Sequence, residues 1–250
     1  MFFTQVLMAA TAESPTLTIT VNDPGSVPYL YFDEQSQDYV GIVPDFLRAF
    51  ATAANYQIEY IEGNQFRSEQ NILDGKADLL LINPAWLDNP RLVLVSEPLL
   101  SHDTYLYATE PFSPDFTLES AYHARVCAHH LYVYTGLEAL FKSGQLIRVN
   151  APNHLSMASM LIRKRCDFAV MNNFNAVDIF YKPQFCKQAV YQSPEPTSVV
   201  DLNLVMPAGR TALKSSIDNY MHQYQTSGAL QESIIRHCPT PGFPKKPNCS

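Results

Sequence analysis

Along the first hundred residues the apolar positions switch repeatedly between two periods. Leu17, Ile19 and Val21 alternate with polar residues, which predicts a strand. Pro44 and Asp45 suit the first turn of a helix, and Phe46, Leu47, Phe50, Ala51 and Ala54 fall on one face of it. Gln57–Ile61 reads as a second strand and Glu69–Lys76 as a short helix that stops near Gly75. Ala77–Ile82 is a continuous apolar run, as in a strand buried on both faces. This βαβαβ order implies a parallel sheet with right-handed crossovers.

The pattern then restarts. Asp103–Thr109 reads as extended, Arg125–Ala128 as a strand, and Thr135 as the cap of a helix ending at Gly144. Leu146–Val149 is a strand, His154–Arg165 a helix, Asp167–Met171 a strand and Phe174–Tyr181 a helix. Val199–Met206 is again extended. Thr211 then caps a helix that Gly228 ends, Ala229–His237 forms a last helix, and a Pro-rich tail follows. The expectation is an α/β chain of two lobes, each a doubly wound, mostly parallel sheet. The first lobe would take 13–106 and 204–238, the second 107–203, with residues 239–250 as the tail. Two extended segments flanking the second lobe imply a two-segment hinge.

Composition narrows the function class. Of 250 residues, 46% are hydrophobic and 16% charged, which fits packed domains. A net charge of -7 argues against a nucleic-acid partner, and Arg163-Lys164-Arg165 reads as a solvated helix end. No apolar run reaches the roughly 18 residues of a spanning helix. Ala10-Thr11-Ala12 fits the small-x-small rule for signal-peptide cleavage, so residues 1–12 read as a signal-peptide remnant. The five cysteines form no CxxC or zinc-like spacing, and neither a cofactor nor a metal is expected.

In order and spacing, LTITVNDPGSVPYLYFDEQSQDYVGIVPDFLRAFA, LDGKADLLLI, VSEPLL, RKRCDFAVMNNFNAVDIF and SGALQESIIRHC resemble the bacterial extracellular solute-binding proteins of family 3. These are the polar-amino-acid-type periplasmic receptors of ABC importers. The resemblance spans about Leu17 to Cys238. It implies a periplasmic monomer of the type II binding-protein fold with no catalytic step. Such a protein closes on a small molecule and presents it to a membrane ABC permease. Clefts between lobes are preferred small-molecule sites, and a ligand that touches both lobes favours closure.

The ligand set is only partly kept. Family members hold an amino acid with a Thr-rich segment and Arg on the carboxylate, a Gly-Thr loop beside it, and a second-lobe carboxylate on the ammonium. Here INPAWLDNPR replaces the Thr-rich segment, with Arg91 near the carboxylate-binding position and Arg67 as a second cation. His129-His130-Leu131-Tyr132 stands in place of the Gly-Thr loop, and Asn172-Asn173 in place of the carboxylate. The departures put an ordinary α-amino acid in doubt. An aromatic cleft is expected instead, from Tyr29, Tyr31, Trp86 and Tyr132, with Asp23 as a polar contact; Phe66 and Tyr134 share such loops, Phe66 being read as core.

Neighbouring first and third strands of the second lobe would let Cys127 bridge Cys166. Cys238 and Cys249 would close the tail and leave Cys186 free. Two other functions share the fold: a cyclohexadienyl-dehydratase-like enzyme, for which His129 and His130 are the conspicuous acid–base groups, and a ligand-sensing module for a separate signalling partner.

Overall fold

The computed structural model describes residues 14–22, 25–130 and 132–238. Its strands are β1 (Thr16–Asn22), β2 (Gly25–Ser26), β3 (Leu30–Asp33), β4 (Asp38–Val40), β5 (Gln57–Gly63), β6 (Leu79–Ile82), β7 (Val93–Ala108), β8 (Arg125–His129), β9 (Ile147–Ala151), β10 (Phe168–Asn172), β11 (Tyr191–Gln192) and β12 (Ser198–Pro207). The α-helices are α1 (Ile42–Ala54), α2 (Gln65–Leu73), α3 (Glu138–Ser143), α4 (His154–Ile162), α5 (Asn173–Phe180), α6 (Thr211–Thr226) and α7 (Ala229–His237).

One nine-stranded sheet runs through the molecule in the order β5-β1-β6-β12-β7-β10-β8-β9, with β11 added to β7. The triads β5-β1-β6 and β9-β8-β10 are each parallel, as expected of βαβ crossovers. Between them β7 and β12 pair antiparallel, and these two strands are the extended connections seen in the sequence. One core gathers around Val126, Leu137, Met157, Leu161, Ala169 and Val170 in the second lobe. The first lobe has cores on two faces of its sheet, around Ile19, Phe46 and Leu204 and around Ile72, Leu80 and Val205. Disulfide Cys127–Cys166 joins β8 to the turn before β10.

Four local details differ from the sequence reading. Helix α2 starts at Gln65, four residues early, because Asn64 caps it by accepting from the Arg67 N–H. Helix α3 starts at Glu138 and α6 at Thr211, and neither has a side-chain cap; Thr135 lies before the first of them. The antiparallel hairpin of β3 and β4 has no counterpart in the periodicity. Phe66, read as core, is 66% exposed.

The cysteine expectations split. Cys127 and Cys166 are bonded as expected. Cys238 carries a free thiol and Cys186 is disulfide-bonded, which overturns the Cys238–Cys249 bridge and the free Cys186. Cys249 lies outside the described residues, as do residues 1–13 with the signal-peptide reading.

Buried phenols make the fold sensitive to alkali. Burial pushes the Tyr60 phenol up to about 12 and holds Tyr29, Tyr107 and Tyr134 above the ordinary value of 10.0. The protonated phenol is the form the folded chain favours, so this stability is fully present below pH 10.0 and is lost as pH rises toward about 12. The urea midpoint should therefore hold near about pH 9 and fall by about pH 11. Phenolate absorbance from these groups should appear together with unfolding; its full appearance in folded protein would contradict the burial.

Candidate functional site

Topology aims the two lobes at each other. Strand β6 runs antiparallel to β12 and so in the direction of β7, while β10 runs against β7. The C-terminal ends of both parallel triads therefore face a shared space. Ile82 ends β6 at the level of Asn203 and Pro98, and Asn172 ends β10 opposite Thr104. Six residues of β7 separate these levels, roughly 20 Å at about 3.3 Å per residue.

Asparagine stands where four of these strands turn into helices. Asn64 after β5, Asn83 after β6, Asn153 after β9 and Asn172 at the end of β10 each accept a backbone N–H of the next turn. The short polar side chain satisfies one orphan donor and leaves the other first-turn N–H groups toward the space. Helices α2, α4 and α5 thus present the positive ends of their dipoles there, a setting that favours anionic groups.

On the first-lobe side, Trp86 forms the short 3-10 turn Pro84–Trp86 after β6 and packs against both first-lobe cores. Its carbonyl accepts from Gln65 Nε2 at 3.0 Å. Arg67 lies in the first turn of α2, and its Cβ and Cγ sit over Gly63, the last residue of β5. The guanidinium makes no hydrogen bond or ion pair with the described residues. Arg91 is elsewhere. Val93 pairs with Pro207, two positions below the level of Val205 and Leu80. Strand β7 therefore begins at the N-terminal edge of this sheet, and Arg91, just before it, stands away from the strand C-termini. Buried Glu69 fixes that return loop by accepting from the Asp88 and Asn89 N–H groups at 3.1 and 3.0 Å. Asp23 lies outside the described residues.

On the second-lobe side, His129, Tyr132 and His154 form a ring cluster, with centroids 4.1 Å apart for His129–Tyr132 and 5.7 Å for each ring to His154. Burial, then the neighbouring His130, keeps the His129 pKa low, so this imidazole favours its neutral form. Arg148, which the sequence reading missed, staples the loop. It donates to the His129 and Tyr132 carbonyls at 2.9 and 2.8 Å, to Asn150 Oδ1 and to Glu138. Its donors are spent on structure. Among the described residues no group of histidines, cysteines and carboxylates has metal-binding geometry.

Contact across the space is aromatic. Tyr29 is 2% exposed, and its ring meets Phe174 of α5 edge-on at 5.5 Å. Tyr31 is half-buried, and its phenol is raised by burial, by Asp33 and by Asp178 of α5. Asn172 is committed as a cap, whereas the Oδ1 of Asn173 is buried with no hydrogen bond. A separate cavity of about 340 Å³, floored by Phe112, Phe116 and Phe168, opens at the opposite end of the second lobe. The sequence-selected Tyr29, Tyr31, Arg67, Trp86, Tyr132, Asn172 and Asn173 thus lie on segments near the C-terminal strand ends, and Arg91 lies on the loop that leads to the opposite edge.

Solved structures share this fold. A histidine kinase sensor domain with similarity to periplasmic binding proteins superposes with a TM-score of 0.71 at 16% identity, covering 90% of this chain and 97% of that one. The GluR0 ligand-binding core in complex with L-glutamate gives 0.70 at 17% identity, covering 91% and 99%. The chain has the periplasmic-binding-protein fold. An ancestral arginine-binding protein bound to arginine has this fold too, at 0.69 and 17% identity, covering 91% and 100%. No family model matches the sequence, and no curated protein does. Here β12 and β7 stand between the two parallel triads and join one to the other in the sheet.

Proposed function

We propose that this chain is an exported solute-binding protein that closes on a small carboxylate-bearing molecule between its lobes and serves a membrane permease. What carries the reading is the set of capped helix N-termini around the ends of both parallel triads, with Arg67 as an unspent cation beside them. An anionic group there gains backbone N–H donors and a bidentate Arg partner. The aromatic groups Trp86, Tyr132 and His129 offer flat faces to the rest of the molecule. The Cys127–Cys166 disulfide suits the oxidising compartment of an exported protein. The kinase sensor neighbour favours a second reading, in which a signalling partner reads the same closure.

Thermal unfolding against amino acids, small carboxylates, aromatic metabolites and short peptides tests the proposal. A ligand of the folded state adds about 2.7 kcal/mol at a hundredfold excess over its dissociation constant. Arg67→Ala should weaken the ligand found by about tenfold or more, the loss of one charge-assisted pair. Arg91→Ala should leave it unchanged. The reverse ranking would put the carboxylate at the other end of the first lobe, and a ligand consumed during the assay would make the chain an enzyme.

A further inference from the structure

The segment that follows β7 builds a second recess, away from the space between the lobes. Residues 109–118 form neither helix nor strand, and Pro111 and Pro114 restrict the backbone there. The segment lays Phe112 and Phe116 against Phe168, the first residue of β10. Ring centroids lie 4.7 Å apart for Phe112–Phe116 and 5.7 Å for Phe116–Phe168, both edge-on, and 5.5 Å for Phe112–Phe168, which is stacked. All three rings are half-buried: they pack against the second-lobe core and also line the cavity of about 340 Å³. Phe168 and Asn172 stand at opposite ends of β10, roughly 13 Å apart at about 3.3 Å per residue, so this cavity is separate from the shared space.

The walls are tied together by the chain itself. Lys164 Nζ donates to Glu110 Oε1 at 3.1 Å, which joins the turn after α4 to the segment after β7. Cys166, buried and bonded to Cys127, anchors that turn in the core. Asp167 accepts from the Arg125 guanidinium at 2.9 and 3.2 Å and from the Arg125 backbone N–H at 2.8 Å. The charges on the rim are thus matched by the chain's own groups, and a charged occupant would leave water without gaining an unpaired counter-ion. What the cavity offers is its phenyl floor and the hydroxyls of Thr109 and Ser113. Aromatic rings prefer the edge-on and offset contacts that such a floor provides. A dry cavity of about 150 Å³ takes up benzene, so about 340 Å³ admits a substituted ring or a fused pair.

We propose that this cavity is a second binding site, for one uncharged aromatic molecule of the indole or phenol type. The ring packs on Phe112, Phe116 and Phe168, and its single N–H or O–H donates to a rim hydroxyl. The site is independent of solute capture between the lobes and stands or falls apart from it.

The test titrates indole and p-cresol into the intact protein and follows the aromatic resonances by NMR. At least one of the two should bind, one molecule per chain, and shift the resonances of Phe112, Phe116 and Phe168 while those of Trp86 stay in place. Indole should bind at least about tenfold more tightly than indole-3-acetate or tryptamine, whose charges find no partner at the rim. Thr109→Trp fills the cavity and should weaken indole by about tenfold or more. If Thr109→Trp fails to fold, the shifts in the wild-type chain carry the decision. No shift at the three phenylalanines from either compound, or shifts centred on Trp86, overturns the site. Equal binding of the charged analogues does the same. Self-association that grows with protein concentration and is abolished by Thr109→Trp would fill the cavity with a second copy of the chain, and also overturns it. All of these outcomes leave ligand capture between the lobes standing, since the thermal panel decides that separately.

Discussion

Replacing Gly41 by alanine should lower the melting temperature by roughly 10 °C, through a loss of about 3–5 kcal/mol. Gly41 has a φ of 127°, where a side chain is strained, and a Cβ would lie 2.6 Å from the Tyr29 carbonyl oxygen and 2.7 Å from that of Pro28. Those two oxygens accept from Val43 and Ile42, at 2.8 and 3.0 Å, and so satisfy the first turn of α1. The new methyl group must push them away. Strain contributes about 1–3 kcal/mol and each weakened bond about 1. Gly75→Ala is the control: its φ of 69° is also positive, but nothing lies within 4 Å. It should show the strain alone, about 1 kcal/mol. Equal losses at the two sites would mean that contact with the Pro28–Tyr29 backbone contributes nothing. Ligand affinity should fall along with stability in Gly41→Ala, because the displaced segment carries Tyr29 to its contact with Phe174.

The double variant Cys127→Ala, Cys166→Ala should lose roughly 4 kcal/mol, the chain-entropy value for a closed loop of 39 residues. Both cysteines are buried in the second-lobe core, at 0% and 2% exposure, so the loss belongs to that lobe. Trp86 is the only tryptophan and packs against the first-lobe cores. Urea unfolding followed by far-ultraviolet circular dichroism should therefore begin ahead of the Trp86 fluorescence change. Coincident transitions with an unshifted midpoint would show that the bridge neither stabilises nor isolates the second lobe.

The chain shows its fold in sequence because apolar periodicity is local. The run Ala77–Ile82 and the alternation of Leu17, Ile19 and Val21 each fix a strand from residues next to one another. The hairpin of β3 and β4 was not legible, since each strand is four residues or fewer and Tyr31 and Phe32 face different surroundings. The sequence does carry a cap signal: Asn64, Asn83, Asn153 and Asn172 each stand just before a helix or 3-10 turn. Reading Asn64 that way would have started α2 at Gln65 and put Arg67 in its first turn.

The site was less legible because its relations are long-range. The two candidate cations, Arg67 and Arg91, separate only through strand register: Val93 opposite Pro207 sends one to the far end of the sheet. Arg148 looks like an ordinary strand residue until its guanidinium is seen closing the His129–Tyr132 loop. Cys186 is bonded and Cys238 free, the reverse of the expectation, because spacing alone does not choose a disulfide partner.

The central claim is that the space between the lobes takes up one small molecule and does no chemistry on it. Equilibrium dialysis of the oxidised protein against the compound that stabilises it most, followed by mass analysis of what is released, tests this most directly. The account predicts one molecule bound per chain, recovered unchanged, with binding weakened by Arg67→Ala and not by Arg91→Ala. Recovery of an altered compound, or binding that Arg67→Ala leaves unchanged, would contradict it.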